Sequence, residues 1–184
     1  ILHRWAMPLM MIGTAVITLG VWLVVPVEEM AHYIIYAGSV FILLAALLLV
    51  IYGWNKLIKD RLAEQNIVKA SLRQKLAALV HDPLKFGALW QMVYMNFVTT
   101  FIGLFMAARL DKLIRTWDAR EERVILTGHW HVLSALVATI LLFYYADMAG
   151  LKGKARSWFA WPLIVASNLA FFGAALYETR RLYV

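Results

Sequence analysis

The chain has 184 residues, of which 63% are hydrophobic and only 16% charged, against about 45–50% and 25% in an ordinary soluble domain. It contains no cysteine, which excludes disulfides, thiolate zinc sites, iron–sulfur clusters and thioether-linked haem. The net charge of +7 reads as Lys and Arg gathered in the loops that flank membrane spans, with no nucleic-acid partner implied.

Crossing a hydrocarbon layer roughly 30 Å thick takes about 20 apolar residues of helix. Several blocks meet that length, so the pattern predicts an all-α integral membrane protein with about five transmembrane helices in a single domain. The first span runs from about Trp5 to Val25 and is stopped by Pro26. Its length marks it as a span and not a cleavable leader. The second runs from about Ala31 to Trp54, and the short link Val27-Glu28-Glu29-Met30 calls for a tight antiparallel hairpin.

A polar stretch follows that keeps a helical rhythm, with Ile58, Leu62, Val68, Leu72, Leu76 and Leu79 recurring at steps near three or four. Its other face carries Lys56, Lys59, Arg61, Lys69, Arg73 and Lys75. This pattern predicts a basic amphipathic helix over about 55–81, lying on an anionic membrane surface or docking a partner subunit. Asp82-Pro83 reads as an N-cap with proline at the first helical position, opening a third span that covers about 86–108. A charged connection from Arg109 to Arg123 leads to a fourth span over about 124–146. Gly150 and Gly153 then break the chain before a fifth over about 158–177.

Alternating the spans places eleven of the 18 Lys and Arg residues on the side of the N-terminus. The positive-inside rule then puts that terminus in the cytoplasm and the C-terminus outside a cell (inner or plasma) membrane. Trp5, Tyr33, Trp54, Trp90, Tyr144, Tyr145, Trp158, Trp161 and Tyr177 fall near span ends, where amphipathic rings anchor at the interface.

The histidines are the strongest candidate ligands. His3 and His81 fall at the cytoplasmic end and read as interface residues. His32, at the start of the second helix, and His129 and His131, near the start of the fourth, fall close to one depth at the outer end. An imidazole within a membrane helix is costly and tends to be paired or liganded. Two from different helices, one on each face of an iron porphyrin, would make a six-coordinate haem b that carries electrons. His32 and His131 are the preferred axial pair and His129 the alternative. Two residues apart, His129 and His131 lie about 200° around their helix and serve different sites.

The segment Thr127-Gly128-His129-Trp130-His131-Val132-Leu133-Ser134 resembles the His-aromatic-His helix of haem–copper oxidase subunit I. By that resemblance His129 matches the ligand of the high-spin haem beside copper, and His131 the ligand of the low-spin haem. The likeness is confined to this helix and implies haem proximity, not oxygen reduction.

A non-haem copper or iron site is the other metal chemistry available. Glu29 and His32 have the Glu-x-x-His spacing that puts both side chains on one helix face, and a histidine of the fourth helix could complete the set. Gln91, Asn96, Thr99 and Thr100 give the third span a polar stripe suited to interhelical hydrogen bonds, with a quinone head group or a proton path as the functional counterpart. Three functions follow in order. The first is a haem b electron-transfer subunit working beside other membrane subunits of a respiratory or related redox complex, not a stand-alone enzyme. The second is a cofactor-free accessory subunit of a larger membrane enzyme. The third is a non-haem metal enzyme subunit.

Overall fold

The computed structural model describes residues 2–24, 26–108 and 119–181, and in that range the regular structure is entirely helical. Seven α-helices follow one another: α1 (Leu2–Leu23), α2 (Glu28–Glu64), α3 (Leu72–Val80), α4 (Pro83–Tyr94), α5 (Thr100–Ala108), α6 (Ala119–Met148) and α7 (Gly153–Arg181). A π-helical segment, Met95–Thr99, joins α4 to α5. Four of the helices (α1, α2, α6 and α7) are long and apolar enough to cross a membrane. The expected third span is divided by the π segment, yet its pieces of 12, 5 and 9 residues run on without a break in the backbone. Val25 and the 109–118 part of the charged connection lie outside the described residues, as do the side chains of His3 and Glu28.

The predicted hairpin forms. α1 stops at Leu23, ahead of Pro26, and α2 restarts at Glu28. The two helices touch at the backbone. A Cβ added to Gly38 would sit 2.8 Å from both the Gly13 carbonyl oxygen and the Ile17 nitrogen, and one added to Gly13 would sit 2.8 Å from the Gly38 carbonyl oxygen. Only hydrogen on the facing Cα atoms allows this approach, which gives the long dispersion contact that holds apolar helices together.

The expected single helix over about 55–81 does not form. Its first part is the straight continuation of α2, which runs 37 residues to Glu64. There the Asn66 N–H donates to Ala63 O and the Ile67 N–H to Leu62 O, with Asn66 at φ 56°, a Schellman closure using asparagine in the left-handed region. A capping box then opens α3: Ser71 Oγ accepts from the Gln74 N–H at 3.3 Å, and Gln74 Oε1 accepts from the Ser71 N–H at 2.8 Å. Local hydrogen bonding at two caps outweighs an apolar period that would have continued across them.

The start signal at Asp82-Pro83 acts as read. Asp82 Oδ1 accepts from the Lys85 N–H, and Pro83 occupies the first turn. At the far end of α6 the Gly150 N–H donates to Asp147 O and the Leu151 N–H to Ala146 O, with Gly150 at φ 72°. That turn lays α7 back along α6. The core lies where α4, α6 and α7 meet, in one cluster of Leu84, Phe143, Ala146, Ala160 and Ile164 and another of Val132, Leu136 and Phe171. Gly87 admits the Phe143 ring, whose Cε1 would lie 2.8 Å from a Cβ there.

Polar groups tie the same helices together. Gln91 is fully buried and donates through Nε2 to Ser167 Oγ at 2.7 Å, while Trp90 Nε1 donates to Asn168 Oδ1 at 3.1 Å. Of the polar stripe expected on the third span, Gln91 pairs with α7, whereas Asn96 bonds back to its own helix.

Candidate functional site

The His129-Trp130-His131 step of α6 sends its two imidazoles to opposite sides, as a 200° separation requires. His129 turns inward. With Ile17 of α1, Ser39 and Ile42 of α2, Met95 and Asn96 of the π segment, Thr100 and Gly103 of α5, and Leu133, it lines a cavity of about 190 Å³. The edge of its ring rests on Gly103, where an added Cβ would lie 3.8 Å from Cε1 and 4.0 Å from Nε2. Its Nδ1 is buried with no hydrogen-bond partner among the described residues. An unpaired buried ring nitrogen costs about 1–3 kcal/mol.

The π segment shapes this wall. A widened turn leaves a carbonyl without its usual i→i−4 donor, and the Asn96 side chain donates through Nδ2 to Met92 O at 2.8 Å. Asn96 borders the cavity together with Ser39 and Thr100.

His131 turns outward, beside Trp130, which is 64% exposed. Its Nδ1 lies 2.6 Å from Thr127 O. A carbonyl oxygen only accepts, so Nδ1 carries the proton and Nε2 presents a lone pair on the exposed face. Such a backbone acceptor orientates a histidine for ligation through its other nitrogen.

His32 sits one or two turns nearer the end of the bundle. It packs against Tyr33 (ring centroids 3.9 Å apart) and edge-on against Tyr36 (6.3 Å), whose hydroxyl donates to Leu104 O at 3.3 Å. The side of α6 that faces α2 carries His129, so His131 points away from α2. The described contacts of His32 are with Tyr33 and Tyr36 and that of His131 is with Thr127, and none of them joins the expected His32–His131 pair. Nor do Glu29, which is exposed, His32 and the α6 histidines form a metal cluster, since no group of three or more His, Asp or Glu able to hold a metal occurs among the described residues. His81 is exposed at the other end, at the C-cap of α3.

A porphyrin does not fit the cavity at His129, because pockets for molecules of drug size run to about 300–1,000 Å³ and this one holds about 190 Å³. On the outward face of α6 His131 offers one imidazole nitrogen as a donor.

At the opposite end of the bundle is an ion triad that sequence reasoning missed. Arg156 Nε and Nη2 donate to Asp82 Oδ1 at 2.9 and 2.6 Å, Nη2 also donates to Asp147 Oδ1 at 2.5 Å, and Nη1 donates to Leu151 O at 3.2 Å. One guanidinium thereby joins the start of α4, the end of α6 and the start of α7. Burial pushes the Asp82 carboxyl up, but the Arg156 hydrogen bonds, the Lys85 N–H and the two nearby positive charges outweigh it and hold the group below its ordinary 3.8. In sequence Arg156 was one more loop cation; the N-cap at Asp82 and the helix end at Asp147 were the available signals that two carboxylates meet there.

No protein-family model, no curated protein and no solved structure matches the chain.

Proposed function

We propose that the chain is a membrane-integral helical subunit of a respiratory or related redox complex, carrying electrons through a haem b on the outward face of α6 with His131 as one axial ligand. The observation that carries this reading is the Thr127 carbonyl on His131 Nδ1, which fixes the ring and leaves Nε2 free on an exposed surface. The haem supplies one-electron iron chemistry when bound. The residues of this chain orientate the ligand, with exposed Trp130 next to it in sequence.

The membrane placement rests on the four long apolar helices and on large apolar side chains that face outward, among them Trp22, Val165, Leu169 and Phe172. We take the continuous helical stretch from Pro83 to Ala108 as a further crossing, giving five with the N-terminus cytoplasmic. Outward-facing Trp5, Tyr33, Tyr144, Tyr145 and Trp158 supply interfacial anchors.

The test is a dithionite-reduced minus air-oxidised spectrum of the chain in its complex, with haem quantified as the pyridine haemochrome. Haem b at stoichiometric yield that His131→Ala abolishes, with His32→Ala retaining it, is the expected result. Haem unchanged in His131→Ala refutes the ligand assignment. A flat spectrum from intact complex refutes the haem reading and favours a cofactor-free accessory subunit of the same architecture.

A further inference from the structure

The walls of the His129 cavity limit what can occupy it. None of the described residues lining it is Asp, Glu, Lys or Arg, so an ion meets no counter-charge there. A porphyrin exceeds its volume of about 190 Å³. Water alone fits poorly. The volume is several times the roughly 30 Å³ of one water, and each water wants about two to four polar partners, whereas Ile17, Ile42, Gly103 and Leu133 offer no polar side chain. An apolar wall broken by a few polar groups is the pattern of a small-molecule site. Two wall residues, Met95 and Asn96, belong to the π segment, a distortion frequent at functional sites.

His129 sets the polar requirement. Its Nδ1 is buried without a partner among the described residues, and its Cε1–Nε2 edge lies toward Gly103 in the cavity wall. A neutral imidazole has one N–H and one lone pair. Orphaned N–H groups are rarer than orphaned acceptors, which places the proton on Nε2. That edge then offers a donor, which a bare hydrocarbon tail would leave unmet and an acceptor oxygen would satisfy.

Depth narrows the source. α1 has 22 residues, about 33 Å at 1.5 Å per residue, which matches a hydrocarbon layer of roughly 30 Å. Ile17 lies six residues short of the Leu23 end of α1, and Ser39 eleven past the Glu28 start of α2. The cavity is therefore about 9–16 Å in from that side. On the membrane and redox reading given above, on which this step rests, the compounds at hand there are dissolved in the bilayer. The cavity is not sealed, so a ligand can leave its tail outside it.

We infer that this cavity binds the head group of a lipid-soluble quinone, with a ring carbonyl accepting from His129 Nε2–H. The ring is neutral and apolar on its faces, with acceptor oxygens at its edge, as the walls require. The tail stays in the bilayer. The site gives the proposed redox subunit a lipid-phase electron carrier as its partner.

The experiment places the full chain, in its complex, in quinone-free lipid nanodiscs and titrates a short-tailed benzoquinone carrying carbon-13 at its ring carbonyls. Saturation at one quinone per chain is expected, with the labelled carbonyl infrared band moved to lower wavenumber by hydrogen bonding. His129→Leu should raise the Kd about tenfold or more and return the band to its free position. At Gly103 an added Cβ lies 3.8 Å from the His129 ring, an ordinary contact. Gly103→Leu therefore has room for its first carbon and fills the cavity with the rest, which should abolish saturable binding. Each variant is compared at the parent's unfolding midpoint; if Gly103→Leu does not reach it, His129→Leu decides alone. Uptake without saturation, an unshifted band in the parent, or binding indifferent to His129→Leu overturns the proposal. Haem is quantified in the same samples. Haem without quinone binding overturns this site alone, whereas quinone binding without haem removes the haem reading and leaves the site.

Discussion

Replacing Arg156 by glutamine tests the joint at which three helices are held. The substitution leaves Asp82, with a side chain 13% exposed, and Asp147, at 35%, facing each other without the cation between them. Removing one partner of a buried ion pair costs about 3–5 kcal/mol. Water reaches Asp147 and recovers part of this, so about 2–3 kcal/mol is expected, which for a chain of this length lowers the unfolding midpoint by roughly 4–12 °C. Arg156→Lys keeps the charge and loses the forked donation to Asp82, so it falls between. Asp82→Asn keeps an N-cap and isolates the charge. The assay is tryptophan-monitored thermal unfolding in one detergent, read as a double-mutant cycle with Arg156→Gln, for which about 1–3 kcal/mol of coupling is expected. A coupling of zero, or Arg156→Gln unfolding with the parent chain, refutes the claim that the triad holds the joint. The pH dependence has a fixed sign. Asp82 titrates below its ordinary 3.8 when folded, so its contribution is complete above that value and is lost as pH falls through the lower one. The parent should lose stability below about pH 4 more steeply than Asp82→Asn.

Other perturbations separate tight packing from open space. Gly38→Ala forces a methyl to within 2.8 Å of two backbone atoms of α1, for a loss of about 1–3 kcal/mol in the same unfolding assay. Gly173→Ala, where an added Cβ meets nothing within 4 Å, should be neutral or gain up to about 1 kcal/mol from helix propensity. Ser167→Ala strands the buried Gln91 amide and should cost about 1–3 kcal/mol, much of which a second change, Gln91→Leu, restores, because pairing matters more than polarity in itself. His129→Leu removes an imidazole nitrogen with no partner among the described residues and should leave stability unchanged or raise it by about 1 kcal/mol. A large loss there would mean that His129 is a structural residue.

What sequence made legible follows the range of the interactions. Asp82-Pro83, Pro26 and Gly150 act within a turn or two of themselves, and each boundary falls where local hydrogen bonding puts it. Ser71 and Gln74 were equally local. Their capping box was readable, but the apolar period of Val68, Leu72 and Leu76 ran across it and suggested one helix where there are two. Pairings distant in sequence left at most the helix ends on which their partners sit. Nothing near Arg156 names Asp82, 74 residues earlier, as its partner, and nothing near Gln91 names Ser167. The π segment has no residue code of its own, and only the Asn96 side chain marks its consequence.

The two ends of the bundle are built on opposite principles, and this bears on where chemistry belongs. At the Asp82 end the Arg156 guanidinium is matched by two carboxylates and a carbonyl, so that cation is spent on structure. At the other end polar groups are left over: His129 Nδ1 without a partner beside a cavity, and His131 with one nitrogen tethered and the other presented outward. Helices held rigidly at one end can carry unspent polar groups at the other, because the joint and the core above it fix their spacing. Two histidines two residues apart then cannot serve one centre while the helix stays regular. Any function that uses both must treat α6 as a partition, with one chemistry inside the chain and another on its outer face.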